Sequence, residues 1–212
     1  MKAILINYNH DPKDWWLDYG FKPEDVTVYD RSDDGIQRTF DAKTYKTKNI
    51  GNVDYDKLTY LVEEYNELPA VFLWGKTNIF KYITPEELKE ALKVKEFKPL
   101  LTQNHRTYND PDGNIVCFYQ DGLYHERYGI VNTMKDILPS KNCSDWLEWS
   151  KHFGIKQVGY IPFAPGGNYI LTREKVHKYS RDMYAEMRDM LDYCVTPAEA
   201  QFAERSYYLL WK

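Results

Sequence analysis

The stretch that most constrains this chain is residues 70–78, Ala-Val-Phe-Leu-Trp-Gly-Lys-Thr-Asn. Val71, Phe72 and Leu73 form an unbroken apolar run, entered through Leu68-Pro69 and left at Gly75. A short run without polar alternation suits a strand covered on both faces of a sheet. Lys76, Thr77 and Asn78 stand where that strand would end. In open α/β sheets ligands bind outside the carboxyl ends of the strands, so this cluster is a candidate floor for a site, as well as an ordinary turn.

The same arrangement recurs along the chain. Residues 3–6 are a second apolar run, ending at Asn7, Tyr8, Asn9 and His10; residues 26–29 are a third, ending at Asp30, Arg31, Ser32, Asp33 and Asp34. Between them, Asp11 as cap and Pro12 at the first helical position predict a helix that Gly20 closes. Residues 35–52 read as a long polar connection, and 54–65 as a helix with Leu58, Leu61, Val62 and Tyr65 on one face. Thr84-Pro85-Glu86-Glu87 is a capping box that opens another helix. Units of strand, polar turn and helix predict an α/β protein with a central, mostly parallel mixed sheet flanked by helices.

Residues 99–102 are a further candidate strand, followed by Gln103, Asn104 and a stretch with His105, Asp110 and Asp112. Those three are metal-ligand types, while Asp110-Pro111-Asp112-Gly113 is also turn chemistry. Residues 115–119 and 123–128 predict a hairpin across Asp121-Gly122. A helix over 144–153 with Ser144 as cap and a strand over 158–161 lead to Gly166-Gly167-Asn168, where paired glycines let the backbone pass close to a ligand or to another chain segment. Thr172 caps a helix expected over 173–192, with Val176, Tyr179, Met183, Met187 and Met190 as its core stripe. Thr196-Pro197-Ala198-Glu199 repeats the capping signature before the last helix.

Composition narrows the function classes. The length of 212 residues fits a single domain spanning 1–212. A net charge of −4 with no basic block argues against a nucleic-acid polymer as partner, and leaves room for a small anionic ligand. Cys117, Cys143 and Cys194 show neither disulfide nor zinc spacing, which points to a reducing, cytoplasmic compartment. No apolar run approaches the roughly 20 residues of a spanning helix, so no transmembrane segment is expected. The 19 Tyr and 6 Trp suit either a filled core or a surface that stacks on sugars or bases. Gly-x-Gly-x-x-Gly, Walker A, nucleophile-elbow and His-Glu-x-x-His patterns are absent, which sets aside dinucleotide enzymes, ordinary NTPases and zinc proteases.

Three stretches carry a family resemblance: NVDYDKLTYLVEEYNELPAVFLWG at 52–75, GGNYILTREKVHKY at 166–179 and AEAQFAERSYYLLW at 198–211. In this order they resemble nucleotide-sugar glycosyltransferases of the GT-A type, and more narrowly the glycosyltransferase-like domains of large algal viruses, over residues 2–211. The resemblance implies a GT-A-like fold, one domain of a longer protein, and transfer of a sugar from a nucleoside diphosphate donor to a glycan hydroxyl. A UDP-sugar is the expected donor and viral glycoprotein glycan synthesis in the host cytoplasm the expected setting. It places the nucleoside at Asn7, Tyr8 and Asn9, an acid for base or ribose at Asp30, and the sugar and acceptor pocket at Gly166, Gly167 and Asn168. Arg31 is a candidate phosphate partner. Glu199 matches the general base of inverting members, with Glu204 next.

One departure stands out. Where the family carries Asp-x-Asp after the central strand, this chain reads Trp74-Gly75-Lys76-Thr77-Asn78. The divalent cation that the resemblance implies, manganese or magnesium, is then expected to be held mainly by the donor diphosphate, with no protein ligand assigned. Lys76 would offset phosphate charge and Asn78 would serve as a neutral ligand or hydrogen-bond donor. The alternative from another class is a non-catalytic glycan-binding or assembly module that kept the fold.

Overall fold

The computed structural model describes residues 1–100, 116–120, 123–126, 129–130, 138–156, 160–162, 164 and 166–212; for those between 116 and 130, and for 160–162, only the backbone is described. The strands of the main sheet are β1 (Lys2–Asn7), β2 (Val26–Asp30), β3 (Lys43–Lys46), β4 (Val71–Lys76), β5 (Lys98–Pro99) and, late in the chain, Tyr169–Thr172. The helices on this part of the chain are α1 (Asn52–Glu63) and α2 (Pro85–Ala91). A second, antiparallel sheet is built from β6 (Val116–Gln120), β7 (Leu123–Glu126), β8 (Gly129–Ile130) and β9 (Tyr160–Pro162), with α3 (Trp146–His152) preceding β9. Tyr169–Thr172 is then β10, and α4 (Arg173–Val176), α5 (Arg181–Asp189) and α6 (Ala198–Trp211) close the chain.

The main sheet has the order β3-β2-β1-β4-β10-β5. β3, β2, β1 and β4 are mutually parallel, while β10 runs antiparallel to β4 and β5 antiparallel to β10. The protein is therefore α/β with a six-stranded mixed sheet. Alternation along the strands sorts their side chains into two cores. Ile4, Ile6, Phe72, Trp74, Tyr169 and Leu171 join α1, α3, α5 and α6 on one face. Ala3, Leu5, Val26, Val28, Leu73 and Ile170 join the segment around Trp15 and Trp16, and α2, on the other. Both faces are covered, which is why these strands are unbroken apolar runs.

Several predicted elements take a different form. The helix expected from Asp11 contracts to the 3-10 turn Trp15–Tyr19, and Lys13 and Asp14 adopt φ of 52° and 46°. Asp11 Oδ1 accepts from the Lys13 backbone N–H at 3.1 Å, a local turn that competes with helix. The Trp15 and Trp16 indoles then donate to the Thr77 and Asp41 carbonyls at 2.7 and 3.1 Å and fix the turn against the sheet. The polar connection over 35–52 contains the edge strand β3, whose four residues are all exposed. The helix expected over 173–192 is broken after α4, because Ser180 accepts from Met183 N–H and starts α5 as a new cap. Its stripe still meets the core: Val176 and Met187 are buried there, and Tyr179, Met183 and Met190 pack against it. Asp145, not Ser144, caps α3. Two expectations hold: Thr84 and Glu87 form a reciprocal capping box on α2, and β6 and β7 pair antiparallel as the predicted hairpin strands, with Asp121 and Gly122 of their turn outside the described residues. Gln103, Asn104, His105, Asp110 and Asp112 lie outside the described residues. No helix among the described residues is long and apolar enough to cross a membrane.

Trp74 ties the layers together. Its ring lies 4.9 Å from Tyr207 and 4.9 Å from Trp211, and those two α6 rings stack on each other at 4.9 Å. Trp211 is fully buried and donates its indole N–H to the Tyr184 hydroxyl of α5 at 3.0 Å. Trp211→Ala is expected to cost about 3–5 kcal/mol in urea unfolding, and a loss below about 1 kcal/mol would show that this cluster does not hold α6 to the sheet.

Candidate functional site

The parallel strands reverse their order of connection at β1, with β2 on one side and β4 on the other. Open α/β sheets bind ligands at such a reversal, outside the carboxyl ends. Asn7, Asp30 and Thr77 are the strand-end residues here, and they bind one another. Asn7 Nδ2 donates to Asp30 Oδ1 at 3.0 Å and to Ser32 Oγ at 3.2 Å, and Thr77 Oγ1 donates to Asn7 Oδ1 at 2.6 Å. Lys46 Nζ reaches Asp30 Oδ2 at 3.0 Å. Burial opposes charge on Asp30, and the hydrogen bonds from Ser32, Asn7 and Lys46 outweigh it, holding the carboxyl below its ordinary range.

The residues just beyond the strand ends face outward. Tyr8 is 47% exposed. Asn9, at φ 49°, exchanges hydrogen bonds with Asp33 at 3.0 Å each way. Asn49 Nδ2 donates to the other Asp33 oxygen at 2.6 Å, and these amides keep the exposed Asp33 carboxyl below the usual range. A cleft of about 430 Å³ opens beside them, lined by Asp30, Ser32, Asp33, Arg38 and Lys46 among others. Across the reversal, Lys76 pairs in register with Ile6, and Lys76 and Asn78 are half-buried.

Arg31 is placed otherwise. Its guanidinium is 2% exposed, donates to Asn49 Oδ1 and the Ile50 carbonyl at 2.8 Å, and stands 3.6 Å from Asp56 Oδ2 of α1. It braces the start of α1 from inside. Burial lowers the Arg31 pKa and pushes Asp56 up to about 6, with the Arg31 charge only partly offsetting the latter.

Two charged residues that the sequence reading left aside sit beside the glycine turn. Lys57 is fully buried; its Nζ donates to the carbonyls of Gly166 and Gly167 and lies 4.7 Å from the Trp74 ring centre. Asp54 accepts from the Tyr207 hydroxyl at 3.0 Å. Burial lowers the Lys57 pKa against the pull of Asp54, and raises that of Asp54 against the pull of Lys57. One signal was present: Asp54 and Lys57 lie four residues before Leu58 and Leu61, on the same buried stripe of α1. Gly166 and Gly167 have φ of 78° and 64°. A Cβ on Gly167 would come within 2.8 Å of Lys57 Nζ, and one on Gly166 within 2.8 Å of the Tyr82 ring. Of the two readings of this turn, close approach to another chain segment is what these contacts display. Asn168 is likewise buried, its Oδ1 accepting from the Lys76 backbone N–H at 3.0 Å.

Glu199 does not complete a capping box; α6 has Pro197 at its cap position and no side-chain cap bond. The carboxylate turns instead to the preceding loop, where Oε1 accepts from the backbone N–H groups of Lys141, Asn142 and Cys143, and Oε2 from the Tyr193 hydroxyl. It is fully buried, with both oxygens engaged. Glu204 keeps a 13% exposed side chain; Oε1 accepts from Gly166 N–H at 2.6 Å and Oε2 from Arg205 Nη1 at 2.8 Å. Among the described residues no three His, Cys, Asp or Glu side chains converge as a cation site. With Lys76, Thr77 and Asn78 at the end of β4, the described residues do not fit a divalent cation held by protein carboxylates.

Comparison with models of known protein families, with curated proteins and with solved structures finds no match to this chain.

Asp56 makes a pH prediction. Its folded pKa lies above that of the unfolded chain, near 4, so between about pH 4 and 6 the folded state holds a proton that the unfolded state has lost. Stability contributed by this group is present below about pH 4 and lost as pH rises through 6, by about 2–3 kcal/mol. Asp56→Asn is expected to remove that part of the slope in urea unfolding across this window. An unchanged slope would place the titration elsewhere.

Proposed function

We propose that this chain binds a nucleoside diphosphate sugar at the carboxyl edge of β1, β2 and β4 and transfers the sugar to a glycan hydroxyl. The observation that carries the reading is the reversal of strand order at β1, which sets exposed Tyr8 and half-buried Lys76 at the ends of adjacent parallel strands. The family resemblance and this topology support a GT-A-like architecture. In this reading the Tyr8 ring stacks on the base, with a UDP-sugar as the donor of choice. Asn9 and Asp33 border the ribose, Asn7 and Asp30 form the floor beneath it, and Lys76 opposes diphosphate charge with Asn78 beside it. Any divalent cation arrives with the donor diphosphate.

Glu204 is the acid best placed for chemistry, since its side chain retains exposure and touches Gly166, whereas Glu199 is enclosed. The acceptor oxygen forms its bond to the anomeric carbon as the bond from that carbon to the diphosphate oxygen breaks. The acceptor proton passes to Glu204, and the nucleoside diphosphate leaves with the bonding pair. The internal engagement of Asp30, Arg31 and Glu199, and of both Glu204 oxygens by Gly166 N–H and Arg205, favours a second reading, a glycan-binding module without catalysis.

Calorimetric titration of UDP, GDP and CMP, each with and without manganese, tests the first reading. UDP is expected to bind in preference to the other two, and Tyr8→Ala to weaken it about tenfold. Glu204→Gln is expected to leave UDP binding intact while slowing transfer by about 10²–10⁴-fold. Absence of nucleotide binding under every condition would overturn the transferase reading and leave the glycan-binding module.

A further inference from the structure

Beside the two cores lies a surface that the proposed donor site does not use. The 3-10 turn Trp15–Tyr19 and α2 enclose a cleft of about 630 Å³, within the roughly 300–1,000 Å³ of small-molecule sites. Tyr19, Pro85 and Leu92 supply its apolar lining, and Asp18, Glu86, Lys89 and Lys93 stand around them. Next to the cleft, outside its lining, Phe80 places a second ring 5.9 Å from Tyr19, the planes inclined by 34°. Phe80 is 38% exposed, so its ring is open to a ligand beside Tyr19.

The two rings are held in place from beneath. Buried Trp15 meets Tyr19 edge-on at 5.7 Å and Phe80 edge-on at 5.2 Å. The Tyr19 hydroxyl donates to the Pro85 carbonyl at 3.3 Å. Burial and then the nearby Glu86 and Asp18 charges raise the Tyr19 pKa, consistent with carboxylates close to the ring. Ordered rings lose little freedom when a ligand settles on them.

The chemistry around the rings selects the ligand. Asp18 and Glu86 disfavour an anion, and Lys89 and Lys93 disfavour a cation, so a neutral molecule is the best occupant. Stacking requires an apolar face, while carboxylates and amines at the edge require hydroxyls that both donate and accept. A sugar ring has both: C–H groups on its face and hydroxyls on its perimeter. We propose that this cleft is a saccharide-binding site, with Tyr19 and the adjoining Phe80 as the stacking platform and Asp18, Glu86, Lys89 and Lys93 as hydroxyl partners. It does not depend on the transferase reading, because it would serve an acceptor glycan or a binding module equally.

The test titrates maltotriose, cellotriose, xylotriose and mannotriose separately into the full chain, followed by backbone amide shifts. At least one is expected to shift the amides around Tyr19, Phe80 and α2, leaving those around Tyr8 and Lys76 unmoved. Tyr19→Ala is expected to weaken that binding about tenfold. Glu86→Gln, an exposed change outside the core, is expected to weaken it as well and covers the case in which Tyr19→Ala disturbs the turn. Failure of all four sugars to bind, or binding unchanged in both variants, overturns the proposal. UDP is read at different amides, so the failure of either site is visible without the other.

Discussion

The carboxyl edge of the main sheet depends on one buried ammonium group, Lys57 Nζ. Removing such a charge from water costs several kcal/mol unless hydrogen bonds and opposite charge compensate it. Its partners come from three parts of the fold: the Gly166 and Gly167 carbonyls before β10, Asp54 of α1 itself, and the Trp74 ring of β4. The crossover helix, the central strand and the glycine turn are therefore positioned together. Glycine at 167 follows from the same contact, since a Cβ there would collide with the amine that holds the turn. Glu204 takes the Gly166 N–H. The turn is thus fixed through its carbonyls by a cation and through its amide by an anion.

The sheet was legible because its strands are covered on both faces and must be apolar throughout, as in Val71, Phe72 and Leu73. Edge strand β3 carries no such mark: its four residues are exposed, and its pairing with β2 defines it. The helix expected after Asp11 failed for a local and a tertiary reason: the Asp11 turn onto Lys13 competes with it, and two indoles seek distant carbonyls at Thr77 and Asp41. The helix expected over 173–192 breaks because the Ser180 hydroxyl accepts from the Met183 N–H, while the methionine stripe continues across the break because α4 and α5 serve one core.

The candidate site was legible as a cluster of strand ends and less so as a set of side-chain roles. Neighbouring parallel strands lie about 4.8 Å apart, so polar side chains at their last positions are within reach of one another. Asn7, Asp30 and Thr77 consequently satisfy each other. The side chains left facing outward belong to residues one or more positions further along, such as Tyr8 and Asp33. Residue type alone does not distinguish a strand-end group spent on the fold from one presented to a ligand.

The two acids of α6 illustrate the same limit. Glu199 and Glu204 are five residues apart, which places them about 140° apart around the helix axis. One helix cannot aim both at a single site. Glu199 faces the loop at 141–143 and neutralises three backbone N–H groups that would otherwise be buried without acceptors. Glu204 faces the glycine turn and the Asp54–Lys57 pair. An acid at the opening of a terminal helix is therefore not automatically a base; the loop packed over that opening determines which turn of the helix is available. In this chain the loop occupies the first turn, and the acid-base part of the proposed reaction moves one turn onward, to Glu204.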